Sequence, residues 1–244
     1  MTAVGKDQGS AVGRAAPAAE HFLGSGDGAA SVAVLASGGV ESAALLADAA
    51  RRYERVYPVY VRKGFIWETV ELAHLKRLLP YFKSEGLAQL SILDLPLGQV
   101  YRAHWSLGRD RTPGSRAPDA AVYLPGRNLL LLSVAGLFCG LRRIPTLWIG
   151  TLKGNPFKDA RSGFLRQMES LLQESLGAGV RVSAPLREFT KAQVIRRWSG
   201  LPLEKTFSCL NPKDHRHCGR CQKCAERRSG FRVAGVPDPT RYVR

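Results

Sequence analysis

From Ser31 onward, short apolar runs alternate with longer stretches of helical period. Ser31 to Ala36 (SVAVLA) is rich in Val and Leu and reads as a buried parallel strand. Ser37-Gly38-Gly39 breaks the run, and good helix formers follow, with a first helix expected from Ser42 to Arg52. Val56 to Val61 is a second strand. Glu68 to Glu85 then has helical spacing through Val70, Leu72, Ala73, Leu75, Leu78 and Leu79, interrupted at Pro80. Further strands are expected at Leu90 to Leu95, Thr146 to Gly150 and Val180 to Pro185. Helices are expected at Leu129 to Leu141 behind an Asn128 cap, at Gly163 to Leu176, and from a Thr190 cap to about Trp198. This alternation predicts a doubly wound α/β domain with a mostly parallel sheet. It covers residues 31–200, with a small cysteine-rich segment at 201–244. Residues 1–30 lack hydrophobic period and read as a disordered tail. The irregular stretch 96–122 reads either as a lid over a ligand or as an exposed insertion.

Composition changes this picture in one respect. The 244 residues carry a formal charge of +16. Such an excess attracts phosphates, whether on a nucleotide, a nucleic acid or a lipid, although scattered surface arginine gives the same total. A nucleic-acid partner is therefore allowed but not required. No apolar run is long enough to span a bilayer, so no membrane partner is expected. No apolar leader is evident, and a cytoplasmic location is the default expectation.

The strand–SGG–helix junction is the first chemical candidate. Such a turn directs bare backbone N–H groups toward one point, where the helix dipole adds partial positive charge. Gly38 and Gly39 lack a Cβ, so an anion can approach the main chain, and Ser37 and Ser42 offer hydroxyls. The alternative is an ordinary βα turn. The stretch is not the common G-x-x-x-x-G-K-[ST] loop. Arg127 precedes a helix start, a second place where anions bind. The loop Lys153 to Arg161 is a candidate substrate wall. Lys191 is placed on a solvated helix face, with a phosphate contact as the alternative.

The second candidate is Cys209, Cys218, Cys221 and Cys224, spaced C-x8-C-x2-C-x2-C. Four thiolates suit one tetrahedral Zn²⁺ in a closed, structural site, with an iron–sulfur cluster or plain thiols as alternatives. The C-terminal segment is thus expected to bind zinc. His215 and His217 read as surface residues, and Cys139 as a small core residue.

The turn SGGVES at 37–42 resembles the S-G-G-x-D-S loop of the PP-loop ATP pyrophosphatases, with Glu41 where that family usually has Asp. With YLPGRN at 123–128, PLREFTKAQVI at 185–195, LEKTFSC at 203–209, CGRCQKCAERRSGF at 218–231 and DPTRY at 238–242, the chain resembles the QueC family. The resemblance implies ATP, Mg²⁺ and Zn²⁺ as cofactors. It implies an ATP-dependent ligase that adenylates 7-carboxy-7-deazaguanine and uses ammonia to form the nitrile, often as a homodimer. The ATP-binding stretch maps onto Leu35, Ala36, Ser37, Gly38, Gly39, Val40, Glu41, Ser42, Ala43, Ala44 and Leu45. The zinc ligands map onto the four cysteines. Ser37, Glu41, Ser42 and Arg127 are the catalytic candidates. Arg127, Asn128, Asp159 and Arg161 are the substrate candidates.

Two stretches depart from the family pattern. One is Arg62 to Glu68. The other is Gly150 to Phe164, two residues shorter than usual, in which Asp159, Arg161 and Phe164 match. Both are expected to line the substrate pocket. A paralogue that amidates or conjugates a related acid, or a PP-loop enzyme acting on tRNA, are the alternative functions. A zinc-stabilised binding protein without catalysis is a third.

Overall fold

A computed structural model describes residues 31–82, 86–108, 111–177 and 179–243. The expected tail at 1–30 lies outside them. Five parallel strands form one sheet: β1 (Ser31–Leu35), β2 (Arg55–Arg62), β3 (Ser91–Asp94), β4 (Thr146–Trp148) and β5 (Arg181–Ser183), in the order β3-β2-β1-β4-β5. The helices are α1 (Val40–Arg52), α2 (Glu68–Leu78), the single turn α3 (Gly98–Tyr101), α4 (Arg127–Leu141), α5 (Ser162–Leu176), α6 (Lys191–Arg197) and α7 (Gln222–Ala234).

The central strands β1, β2 and β4 are largely buried on both faces, as their apolar runs require, while the edge strands β3 and β5 are only partly buried. Val32 and Val34 of β1 pack with Leu45, Leu46, Leu75, Val194 and Phe231 on one side of the sheet. Ala33 and Leu35 pack with Leu132, Cys139, Met168 and Leu172 on the other. The period of two along β1 therefore sorts side chains between two helical layers. Burial pushes the Cys139 thiol up to about 12, consistent with an inert core residue.

Strand order reverses between β1 and β4. In open α/β sheets a crevice forms at that point, outside the carboxyl ends of the strands. A third cluster covers this end. It joins Phe65, Trp67, Trp105, Val122 and Leu124 to Phe207 and the four C-terminal cysteines. The stretch 96–122 is anchored at points: Leu97, Trp105 and Val122 are buried in this cluster, while most of its described residues are exposed. Trp105 stacks on Trp67 with ring centroids 5.6 Å apart, and the stretch contains three short helical turns. Gln222 ties it to the cysteine segment, its side-chain amide donating to Asp119 at 2.6 Å.

Asn128 is not the cap of α4. The helix starts two residues earlier, at Arg127, because Gly126, at φ +70°, turns the chain into it. Thr190 does cap α6, in a reciprocal capping box with Gln193.

Candidate active site

The SGG turn lies at the carboxyl end of central β1, beside the β1/β4 reversal. Gly38 has φ +80°, and a Cβ there would meet the Leu75 backbone at 3.3 Å. Gly39 caps α1 without a side-chain bond. A Cβ on Gly39 would lie 3.3 Å from a Glu41 carboxylate oxygen and 3.6 Å from both the Ser37 hydroxyl and the Phe207 carbonyl. A side chain at Gly39 would therefore intrude on the hollow, whereas one at Gly38 would press on α2. Ser42 Oγ accepts from the Ser37 backbone N–H at 2.9 Å and lies 3.2 Å from Ser37 Oγ, which fixes the turn.

A cleft runs from this turn across the sheet end, with two connected parts. The outer part, about 390 Å³, is bordered by Ser37, Gly39, Glu41, Ser42, Lys191, Lys223 and Glu226, with Arg127, Tyr123 and Phe157 opposite. Tyr123 and Phe157 stack at 4.9 Å. The inner part, about 170 Å³, is bordered by Tyr60, Lys63, Phe65, Trp67, Glu71, Arg127, Asn128 and Thr151. The stretches 62–68 and 150–164 both contribute to this inner wall, through Lys63, Phe65, Trp67, Gly150, Thr151 and Asn155.

The predicted site residues separate into groups. Leu35, Ala36, Ser37, Gly39, Glu41, Ser42, Arg127, Asn128 and Asp159 border the cleft. Val40, Ala43, Ala44 and Leu45 turn into the core instead, as one face of an amphipathic helix must. Arg161 is exposed at the start of α5 and does not border either part of the cleft. Asp159 is buried and acts on Asn128: its carboxylate accepts from the Asn128 backbone N–H at 3.0 Å, satisfying a free donor at the start of α4.

Lys191 does not lie on a solvated face. Its ammonium bridges Glu41, at 3.1 Å, and Glu226, which also meets Lys223. Burial alone would lower the Lys191 pKa, and the two carboxylates more than reverse that. Burial likewise pushes Glu226 up, but Lys191 and Lys223 bring it down to about 2. Charge thus links α1, α6 and α7 at the cleft mouth.

Sequence reasoning missed Glu71. Burial raises its carboxyl to about 7, against the opposing pull of Lys63, a 2.8 Å bond from Tyr60 Oη and the more distant Arg127. The available signal was its register: Glu71 falls four and seven residues before Leu75 and Leu78, on the buried stripe of α2.

The four cysteine Sγ atoms lie within 4.8 Å of one another and are all buried. Backbone N–H groups of Leu210, Asn211, Cys218 and Arg220 point at these sulfurs from 3.2 to 3.5 Å. Such donors stabilise thiolate charge, so the donor set fits a soft, tetrahedral metal ion. His217 is not a surface residue. It is buried against Phe207, and its Nε2 accepts from the Ser208 N–H at 3.2 Å.

The sequence matches the family described as queuosine biosynthesis protein QueC over residues 31–235. The chain belongs to the QueC family. Among relatives, a 7-cyano-7-deazaguanine synthase of Xanthomonas campestris pv. campestris (strain B100) is 33% identical over 228 residues, covering 86% of this chain and 96% of the relative. That of Anaeromyxobacter sp. (strain Fw109-5) is 32% identical over 225 residues, covering 86% and 95%. Among solved structures, a 4-thiouridine synthetase–RNA complex with bound ATP aligns at TM-score 0.46 and 16% identity, over 84% of this chain and 50% of that one. This QueC-family chain has no helix among its described residues long and apolar enough to cross a membrane.

Proposed function

We propose that this QueC-family protein is an ATP-dependent ligase. In this reading it adenylates 7-carboxy-7-deazaguanine and uses ammonia to form 7-cyano-7-deazaguanine, the product in its relatives' name. One observation carries the reading: the glycine hollow opens onto a two-part cleft at the strand-order reversal.

The backbone N–H groups of the SGG turn receive the phosphates, with the dipole of α1 behind them. Ser37 and Ser42 hold the turn in shape. Arg127 lies between the two parts, where the carboxylate and the α-phosphate would meet. A carboxylate oxygen attacks the α-phosphorus and pyrophosphate leaves. Ammonia then attacks the acyl carbon and AMP leaves, giving an amide. A second adenylation, on the amide oxygen, lets loss of AMP and protons form the nitrile. The protein's share is positioning and charge stabilisation in a site shielded by the aromatic wall. Glu41 borders the hollow and is placed to share a Mg²⁺, which when bound would neutralise the departing pyrophosphate. The four cysteines would hold Zn²⁺ in a structural role, supplying all four of its thiolate ligands. Ammonia is the nitrogen donor, the cytoplasm the expected compartment, and a homodimer the expected assembly. Exposed Leu137 and Leu141 on α4 and Leu171 on α5 support that assembly.

The departures from the family pattern fall on the inner cavity. They favour, as a second reading, a related acid carried only as far as the amide or a conjugate. Purified protein with ATP, Mg²⁺, ammonium and 7-carboxy-7-deazaguanine separates the two. The first reading predicts nitrile with AMP and pyrophosphate. Amide without nitrile supports the second, and no ATP cleavage with this acid rejects the first.

A further inference from the structure

The inner cavity holds polar groups that the adenylation scheme does not use. Glu71 lies at its wall, enclosed by protein yet reached through the cleft. One carboxylate oxygen accepts from Tyr60 Oη at 2.8 Å, and the other makes no hydrogen bond among the described residues. Lys63 does not neutralise it directly. Its ammonium is committed to Glu68 at 2.9 Å and to the Val61 carbonyl. Two more polar atoms in the same wall lack partners, Asn128 Oδ1 and Thr151 Oγ1, on residues 2% and 4% exposed. A buried polar atom without a partner costs about 1–3 kcal/mol, so this wall is built for a ligand that supplies hydrogen-bonding groups. The flanking surfaces are apolar and partly aromatic: Phe65 and Trp67 lie with centroids 4.9 Å apart and rings tilted at 40°, and Leu124 and Leu131 border the same space. The cavity therefore suits a planar heterocycle with polar edges.

We infer that Glu71 is a specificity-determining residue for the acid's ring, its carboxylate accepting from two adjacent N–H donors on one edge of a guanine-like heterocycle. The inference rests on the adenylation reading above and names the ring-recognising group within it. A carboxylate has two oxygens and no proton to give, so it matches a ring N–H beside an exocyclic amine. The adenine edge of ATP offers one donor and one acceptor, and an ionised carboxylate matches it poorly. The ring thus belongs in the inner part and the nucleotide in the outer.

The test pairs Glu71→Gln with an acid that lacks the exocyclic 2-amino group, scored by pyrophosphate release. The wild type should favour the full acid over the 2-deamino acid by about 10- to 100-fold in kcat/KM, the range of a charge-assisted bond. Glu71→Gln should lose most of that preference through a raised KM for the full acid, with ATP affinity in direct titration unchanged. Equal preference in both proteins, or a loss of ATP affinity in Glu71→Gln, would overturn the assignment. No pyrophosphate release by the wild type with either acid would instead reject the underlying adenylation reading, and the two failures are distinguishable. Circular dichroism and a thermal melt of Glu71→Gln establish that the variant is folded.

Discussion

The backbone N–H of Phe207 donates to the carbonyl of Gly38 at 2.8 Å. Phe207 lies two residues before Cys209, the first of the four clustered cysteines. The turn proposed to receive ATP is therefore attached to the segment that the cysteines fold. Chelation of the metal, or Cys221→Ser, should loosen both. Structural zinc contributes ~10–16 kcal/mol in small peptides. Loss of even ~3 kcal/mol here would lower Tm by roughly 6–12 °C. The expected pair of results is a lower Tm by calorimetry and weaker ATP binding by titration. A lower Tm with unchanged ATP affinity would show the two sites to be independent.

Gly39→Val tests the hollow itself. Its Cβ would lie 3.3 Å from the Glu41 carboxylate and 3.6 Å from the Phe207 carbonyl, and its methyl groups would project further. ATP affinity should fall by at least about tenfold, ~1.4 kcal/mol, with the fold retained. Gly38→Ala should act differently. Its φ of +80° is a left-handed conformation. That costs a residue with a Cβ ~1–2 kcal/mol, so urea unfolding should record a loss of stability.

Asp159→Ala removes the carboxylate that accepts from the Asn128 N–H at the start of α4. Loss of a comparable cap costs ~1 kcal/mol. Arg127 occupies the first position of the same helix, so the KM for the acid should rise along with the loss of stability. Urea midpoints and steady-state kinetics on one preparation measure both.

Glu71 makes acid binding depend on pH. Burial raises its carboxyl to about 7; Lys63, the Tyr60 hydroxyl and Arg127 oppose the rise and Glu68 adds to it. Below that pH it carries a proton and offers a donor where the ring requires an acceptor. The KM for the acid should therefore fall as pH rises through about 7, and Glu71→Gln should lack this limb. Stability runs the other way. The native carboxyl holds its proton to a higher pH than the unfolded one, so stability falls as pH climbs from about 4.5 to about 7. Glu71→Gln should remove that decline too.

Strands β1, β2 and β4 are legible in the sequence because each lies in an apolar run, β3 and β5 because short apolar pieces recur at the spacing of a strand–helix repeat, and the glycine turn because it interrupts one run. The cysteine site is legible because its ligands recur at short, fixed steps. Lys191 was not legible as a bridge: its partners Glu41 and Glu226 come from distant parts of the chain, and only α1, α6 and α7 in contact bring them together. Asn128 was misread because a good capping residue followed Gly126, whose positive φ had already started the helix. His217 was misread because nothing local marks it for burial, and Phe207 and Tyr242 enclose it from either side. Glu71 was not legible because it lies among other charges of α2, and only its spacing of four and seven residues from Leu75 and Leu78 marks it as inward-facing.

Isotope exchange between pyrophosphate and ATP tests the adenylation claim most directly. With 7-carboxy-7-deazaguanine present and ammonia absent, label from pyrophosphate should enter ATP, because the acyl-adenylate forms reversibly and waits. Exchange that does not depend on the acid, or ATP cleaved to ADP and phosphate, would contradict it.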